Sequence, residues 1–296
     1  MKKILILLGV VGVSLSAIFV RVSTAPSMVL VFYRVAIAAL LLLPVVLLRH
    51  RQAMKALQGR DILLCTLSGI FLGLHFTLYF ESLKYTSIAS AVVLVDTEVF
   101  FVALAMLLLF REKISVLGWL GISATFAGSV LIALADAGSG SNILLGDLIA
   151  LGGAAAMSVY TLIGKVCRRH ISTTVYTFIV YSTAAITVLI LLLCSGTSVF
   201  GYAPVNLLTA LGMALFCTLL GHSVFSWGLK YVSASFIATV KLLEPVFACM
   251  MGILFFGEIP GWLVILGGGL VILGVYLYAR LGENGSADEQ SKDKTT

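Results

Sequence analysis

The sequence predicts an all-α integral membrane protein with ten transmembrane helices in two inverted five-helix repeats. Three observations predict this fold: a content of 60% hydrophobic and only 11% charged residues, a one-sided distribution of positive charge, and a long internal repeat. A soluble domain needs far more polar surface than this composition supplies. The lipid bilayer is therefore the expected partner of nearly the whole chain.

Ten apolar stretches have the length of about 20 residues that a helix needs to cross the hydrocarbon core. The predicted spans are 4–22, 26–48, 61–83, 86–110, 115–135, 146–166, 174–194, 204–228, 233–256 and 259–279. The first resembles a signal peptide, but it is longer than the usual apolar region of about 7–15 residues and another span follows at once. We interpret it as the first helix. The polar tail 281–296 is predicted to be disordered and cytoplasmic.

Positive charge is expected mostly on one side of the membrane. With ten spans and both termini in the cytoplasm, Arg21 and Lys84 face outward, Arg34 and Lys241 lie within spans, and the other 15 of the 19 Lys and Arg residues face the cytoplasm. This is the positive-inside bias of multi-pass proteins in a cell membrane. It accounts for the net charge of +6 without nucleic acid as a partner.

The stretch VDTEVFFVALAMLLLFRE at 95–112 aligns without a gap with KLLEPVFACMMGILFFGE at 241–258, at an offset of 146. The aligned pairs include Glu98 with Glu244, Gly121 with Gly267, Gly128 with Gly274 and, at an offset of 144, Ser14 with Ser158. We predict one repeat over 1–136 and a second over 142–280. Because each half holds five spans, an odd number, the second half is inverted, a plan that recurs in secondary transporters with the substrate near the midplane.

Five ionisable residues lie deep within the predicted spans: Arg34, Asp96, Glu98, Lys241 and Glu244. A charge at the centre of a span costs roughly 2.5–3.5 kcal/mol on insertion scales, so such residues usually pair or line a wet cavity. Lys241 and Glu244 are three residues apart and can pair on one helical face. Arg34 is the candidate partner for Asp96 or Glu98. Whether these charges bind substrate or only fix the helix register stays open.

Pro245 predicts a break in the ninth span, because proline lacks an N–H group and disfavours helical geometry at Glu244. Such a break is tolerated in lipid only where protein or water satisfies the backbone, which favours a polar cavity. His75 and Tyr79 share one face of the third span and are further candidates for the site. His75 could carry protons or be a plain helix contact. His222 is expected nearer a membrane surface, without a role.

The pattern LLEPVFACMMGILFFGE, preceded by LKYVSAS and repeated in the first half, resembles the EamA-type branch of the drug/metabolite transporter superfamily over about residues 1–280. The resemblance implies ten helices, inverted repeats and the movement of amino acids, other metabolites or drug-like molecules, often outward. The first repeat departs from the family pattern, with Val99 in place of proline and Arg111 in place of glycine.

The sequence therefore predicts a secondary transporter, an exporter of small organic metabolites, working by alternating access around a polar site at the midplane. Both signs of charge near the midplane suit amino acids or related zwitterions. No nucleotide-binding P-loop occurs, and no residue spacing typical of a metal site or a cofactor. The alternatives are an intramembrane enzyme using the buried acidic or histidine residues, which lacks H-E-x-x-H and G-x-S-x-G motifs, and a passive channel. A homodimer stays open.

Overall fold

The computed structural model describes residues 2–86, 88–112, 114–135, 142–257 and 259–282, and all regular structure in these ranges is helical. The first half contains α1 Lys2–Ser14, α2 Ser16–Val22, α3 Ser27–Arg49, the short α4 Arg51–Lys55, α5 Gly59–Ser82, α6 Ile88–Asp96, α7 Glu98–Phe110 and α8 Val116–Ala135. The second half contains α9 Ile143–Cys167, α10 Thr173–Cys194, α11 Pro204–Gly212, α12 Ser223–Gly228, α13 Ala234–Lys241, α14 Glu244–Phe256 and α15 Trp262–Leu277. A π-helical segment, Met213–His222, joins α11 to α12, and another, Tyr278–Gly282, follows α15.

The predicted spans correspond to these helices. Nine helical stretches of the described chain are long and apolar enough to cross a membrane, and the span predicted at 115–135 is α8, whose apolar part is Val116–Ile132. The chain is therefore an all-α, multi-pass membrane protein, as predicted. The tail predicted to be disordered lies outside the described residues from 283 onward.

The two halves of the chain interleave. In the first of two large apolar cores, α3 and α5 pack with α9 and α10. In the second, α1, α7 and α8 pack with α12, α13 and α15. Each core therefore contains helices from both halves. Arg34 and His75 lie on helices of the first core, and Glu98 and Lys241 lie on helices of the second.

The last membrane helix of each half, α8 and α15, cross at glycines. A methyl group on Gly128 would lie 2.6 Å from the carbonyl oxygen of Gly267, and one on Gly121 would lie 2.9 Å from that of Gly274. Such distances are too short for any side chain, so glycine is required for the backbones to approach this closely. These four glycines form the two aligned pairs, Gly121 with Gly267 and Gly128 with Gly274. Each glycine of α8 contacts the α15 glycine that belongs to the other pair.

Two of the predicted spans are interrupted at aligned positions. The fourth span is divided between α6 and α7 at Thr97, and the ninth between α13 and α14 at Leu242 and Leu243. The second break lies two residues earlier than predicted from Pro245, because Pro245 occupies the first turn of α14. Proline is tolerated there, since the N–H groups of a first turn have no partner within the helix.

Both half-helices after the breaks end in the same way. The residue after α7, Arg111, and the residue after α14, Gly257, have left-handed backbones with φ of 54° and 67°. Gly257 adopts this conformation without steric cost, whereas Arg111 does not, since its Cβ crowds the backbone.

Candidate functional site

The two interruptions place an acidic residue at the start of each following half-helix. Glu98 is the first residue of α7 and Glu244 the first residue of α14. Both breaks are tight turns in which an N–H bonds the third residue back: Thr97 to Leu94 at 3.2 Å and Leu243 to Val240 at 3.1 Å. The positive end of a helix dipole favours a carboxylate at this position.

A serine from the opposite half contacts each break. The Ser158 hydroxyl, on α9, lies 3.4 Å from the backbone oxygen of Glu98, and the Ser14 hydroxyl, on α1, lies 3.2 Å from that of Glu244. Each serine also lies 2.8 Å from the carbonyl four residues before it in its own helix, so its single proton is shared between two acceptors. Ser14 and Ser158 are an aligned pair, and so are Glu98 and Glu244. The same contact is therefore made twice.

Lys241 pairs with Glu98 and not with Glu244. The Lys241 Nζ lies 2.5 Å from Glu98 Oε2, with the two side chains 12% and 8% exposed, and the Thr161 hydroxyl donates to Glu98 Oε1 at 3.0 Å. The local pair of Lys241 with Glu244, which the spacing allowed, is not formed, because the Lys241 ammonium is bound to Glu98. The ion pair instead joins the fourth membrane helices of the two halves.

Of the three acidic residues at the two breaks, Glu98 has an ion pair, whereas Asp96 and Glu244 form none with the described residues. Asp96 is the last residue of α6, where the carbonyl end of the half-helix disfavours a negative charge. Its Oδ2 is buried without a hydrogen-bond partner in the described chain. Glu244 lies within electrostatic range of Lys241 and Arg34, and its backbone oxygen, not its carboxylate, accepts from Ser14.

Arg34, on α3, is 5% exposed. Its Nε donates to the Thr218 hydroxyl at 3.2 Å, and its guanidinium carbon lies 4.7 Å from the centre of the Phe76 ring. The expectation that Arg34 pairs with Asp96 or Glu98 is wrong: within the described ranges Arg34 forms no ion pair. We call Arg34, Asp96, Glu98, Lys241 and Glu244 together the polar centre. The Arg34 charge in this centre has no ion-pair partner among the described residues.

His75 and Tyr79 lie on α5 beside the same centre. The His75 Nδ1 is 3.0 Å from the carbonyl oxygen of Gly153 on α9, which is the helix contact that the sequence left as one of two readings. Tyr79 packs its ring against Phe80 at 5.1 Å and lies within electrostatic range of Glu244 and Asp96.

The position of His222 differs from the one predicted. It was expected near a membrane surface, but it is 8% exposed, its ring meets Phe76 edge-on at 5.7 Å, and its Nδ1 has no described partner. It ends the π-helical segment Met213–His222, which also carries Thr218. π-helical insertions frequently occur at functional sites, but nothing in the local sequence distinguishes this segment from an ordinary apolar helix.

Two further acidic residues lie at helix ends, away from the two breaks. Glu81 pairs with Lys84 at 2.6 Å at the end of α5, with both side chains partly exposed. Glu112 follows the left-handed turn at Arg111, and its N–H bonds the Met106 carbonyl. Glu258 lies outside the described residues.

Comparison with known families gives a match over nearly the whole chain. A model of the EamA-like transporter family matches twice, at residues 2–134 and at residues 144–280. The family described by this model is the one that the Glu-Pro pattern resembles, so the resemblance inferred from the sequence is confirmed.

Several relatives are named as transporters. The chain is 28% identical to an uncharacterized transporter of Clostridium kluyveri, over 80% of this chain and 78% of the relative. It is 27% identical to the pseudopaline exporter CntI of Pseudomonas aeruginosa, over 87% and 88%. A crystal structure with 17% sequence identity superposes with a TM-score of 0.81, covering 96% of this chain and 99% of that one; this likeness concerns the fold alone.

Proposed function

Because this chain belongs to the EamA-like transporter family, we propose that it exports small organic zwitterions, amino acids or compounds like them, by alternating access around the buried polar centre. The family and the transporter names of the relatives indicate a transporter rather than an enzyme. The outward direction is supported by the relative named as an exporter. The cargo is proposed from the charges of the site.

One observation carries the proposal. The two aligned helix breaks bring charges of both signs from both halves into a buried site, where Lys241 of one half binds Glu98 of the other. Buried ionisable groups within spans are costly and typically mark a substrate or ion pathway. Interrupted helices at the junction of two repeats are the arrangement that secondary transporters use at their substrate sites.

The proposed mechanism rests on an inverted repeat, with one five-helix unit over 1–136 and the other over 142–280. The double family match, the aligned breaks and the paired serine contacts support it. Two units of the same fold in opposite orientation can exchange conformations, which produces inward-open and outward-open states of similar energy. The site then opens to each side of the membrane in turn.

The proposal includes a plasma-membrane location with both termini in the cytoplasm, supported by the positive-inside bias. A reporter fused after residue 296 tests the orientation. Green fluorescent protein is expected to fluoresce there, and alkaline phosphatase is expected to be inactive. The reverse pattern would contradict the proposed orientation.

Counterflow in proteoliposomes tests the function. Vesicles loaded with one unlabelled amino acid at a time are assayed for uptake of the labelled form, for the wild type, Glu244→Gln, Asp96→Asn and the control Glu81→Gln, which removes a charge at the span end. We expect saturable counterflow in the wild type and control, and strongly reduced but still measurable counterflow in the other two variants. Flux without saturation or counterflow would indicate a channel. Absence of exchange with any of the 20 amino acids would contradict the amino-acid proposal.

A further inference from the structure

Two opposite charges in the polar centre remain unpaired although they lie near each other. Arg34 and Glu244 are within electrostatic range, but they form no ion pair, for which their nitrogen and oxygen atoms would have to lie within 4.0 Å. The buried Arg34 guanidinium and the partly exposed Glu244 carboxylate therefore lie more than 4.0 Å apart. Neither charge is neutralised by a direct ion pair, and a charge taken out of bulk water is costly unless it is paired.

The guanidinium has unused hydrogen-bonding capacity. Of its five N–H donors, the structure commits one, at Nε, to Thr218; the two terminal nitrogens donate to no described residue. The side chain is 5% exposed, so bulk water satisfies these donors poorly. The terminal N–H groups of arginine match the two oxygens of a carboxylate in a bidentate pair.

The Glu244 carboxylate likewise accepts no hydrogen bond in the described chain. Lys241, the nearest lysine in the sequence, is committed to Glu98, whose other oxygen is taken by Thr161. The positive end of α14 favours the charged carboxylate at Glu244. Glu244 therefore remains available to an ammonium group that enters the site.

We infer that one cargo molecule bridges these two residues, with its carboxylate on the terminal nitrogens of Arg34 and its ammonium group on the Glu244 carboxylate. The inference rests on the proposed function and deepens it, since it names the group of the cargo that each residue binds. Phe76, under the Arg34 guanidinium, provides a wall beside the carboxylate end, and Tyr79 lies within electrostatic range of Glu244. The Lys241–Glu98 pair, already satisfied, is then a structural neighbour of the site and not a contact of the cargo.

Competition during counterflow shows which residue binds the carboxylate of the cargo and which binds its ammonium group. The probe is the amino acid that the wild type exchanges fastest, together with the amine that lacks its carboxylate and the acid that lacks its ammonium group. Each of the last two is tested as an inhibitor of uptake of the labelled amino acid. The variants are Arg34→Gln, Arg34→Lys and Glu244→Gln, with Glu81→Gln as the control for loss of a charge.

We expect the amino acid to bind the wild type at least about tenfold more tightly than the amine or the acid, because both ends contribute. Arg34→Gln is expected to weaken binding of the amino acid and of the acid at least about tenfold and to leave inhibition by the amine unchanged. Glu244→Gln is expected to weaken binding of the amino acid and of the amine and to leave inhibition by the acid unchanged. Arg34→Lys, which keeps the charge but loses the bidentate geometry, is expected to raise the KM without this complete loss.

The bridging arrangement is wrong if Arg34→Gln and Glu244→Gln weaken binding of all three compounds equally, or if neither variant weakens binding of the amino acid. Either result leaves amino-acid transport by the wild type intact. If Arg34→Gln does not fold, Arg34→Lys carries the test: a raised KM for the amino acid with unchanged inhibition by the amine supports the inference, and an unchanged KM overturns it. If the wild type exchanges no amino acid, the proposed function fails first and the inference fails with it.

Discussion

The two interrupted helices have the same architecture but different charges. In both, a short turn separates two half-helices, a glutamate opens the second one, and a serine of the opposite half contacts that glutamate's backbone oxygen. At the end of the half-helix before the turn, however, the first half carries Asp96 and the second carries Lys241. A lysine is favourable at the carbonyl end of a helix and an aspartate is not.

This difference accounts for the asymmetric pairing in the site. Lys241 is the only cation that the two breaks contribute, and it is bound to Glu98 across the halves. Glu244 and Asp96 are thereby left without an ion pair in the described chain. The backbone plan is thus repeated, whereas the charge pattern is not, and Glu244, one of the unpaired charges, is the one proposed to bind the cargo.

The largest expected effect is a difference in the stability loss caused by replacing each of the two aligned glutamates. Glu98→Gln leaves Lys241 buried without its partner and is expected to lower the free energy of unfolding by about 3–5 kcal/mol. Glu244→Gln breaks no ion pair or side-chain hydrogen bond of the described chain and is expected to change it by less than about 1 kcal/mol. Unfolding of the purified protein in detergent micelles measures both.

A second variant controls for this comparison. Glu98→Gln combined with Lys241→Met removes both charges and is expected to recover most of the lost stability, because an uncharged pair no longer has to be solvated. Equal losses from the two single glutamate variants would contradict the assignment of Lys241 to Glu98.

The serine contacts offer a smaller and symmetrical effect. Ser14→Ala and Ser158→Ala are each expected to lower the free energy of unfolding by about 0.5–1.5 kcal/mol, the net contribution of one hydrogen bond. Because each serine makes the same pair of contacts, the two losses are expected to agree within about 0.5 kcal/mol. A matched control is Ser195→Ala, whose hydroxyl bonds within its own loop. A large effect in one half alone would break the equivalence of the two breaks.

The left-handed residues after α7 and α14 test whether the first half bears strain that the second avoids. Arg111→Gly is expected to stabilise the protein by up to about 1 kcal/mol, since glycine adopts φ of 54° without a steric cost. Gly257→Ala is expected to destabilise it by a similar amount. Thermal unfolding of both variants measures the effect, with Gly59→Ala as the control, because nothing crowds Gly59 and its φ is not positive. Destabilisation by Arg111→Gly would show that the arginine makes a compensating contact.

The smallest effect concerns Pro245. Pro245→Val copies the first half, where Val99 follows the glutamate and the helix is still interrupted. We expect the break to persist, the counterflow rate to stay within about twofold of the wild type, and stability to fall by about 0.4–1 kcal/mol as the unfolded chain gains freedom. Loss of counterflow with a folded protein would mean that the proline itself makes the second break.

The break at Thr97 could not be predicted from the residues of its own span. The span at 233–256 contains Pro245 and was expected to be interrupted, whereas for the span at 86–110, which contains no proline, no break was predicted. Its turn at Thr97 is stabilised by hydrogen bonds to the third residue back and by Ser158 from another helix. The alignment of Ser14 with Ser158 was visible in the sequence, but what the pair contacts was not.

By itself, the sequence determined the membrane class, the spans and which charged residues lie deep within them, because hydrophobic length, the cost of buried charge and the repeated Glu98 and Glu244 act locally or along the chain. The tertiary structure alone decided which charges meet. Lys241 binds Glu98, which is 143 residues away, rather than Glu244 three residues on; Arg34 stays unpaired; and His222 is buried. These outcomes depend on how helices from the two halves pack, and no pattern within one span specifies a partner on another.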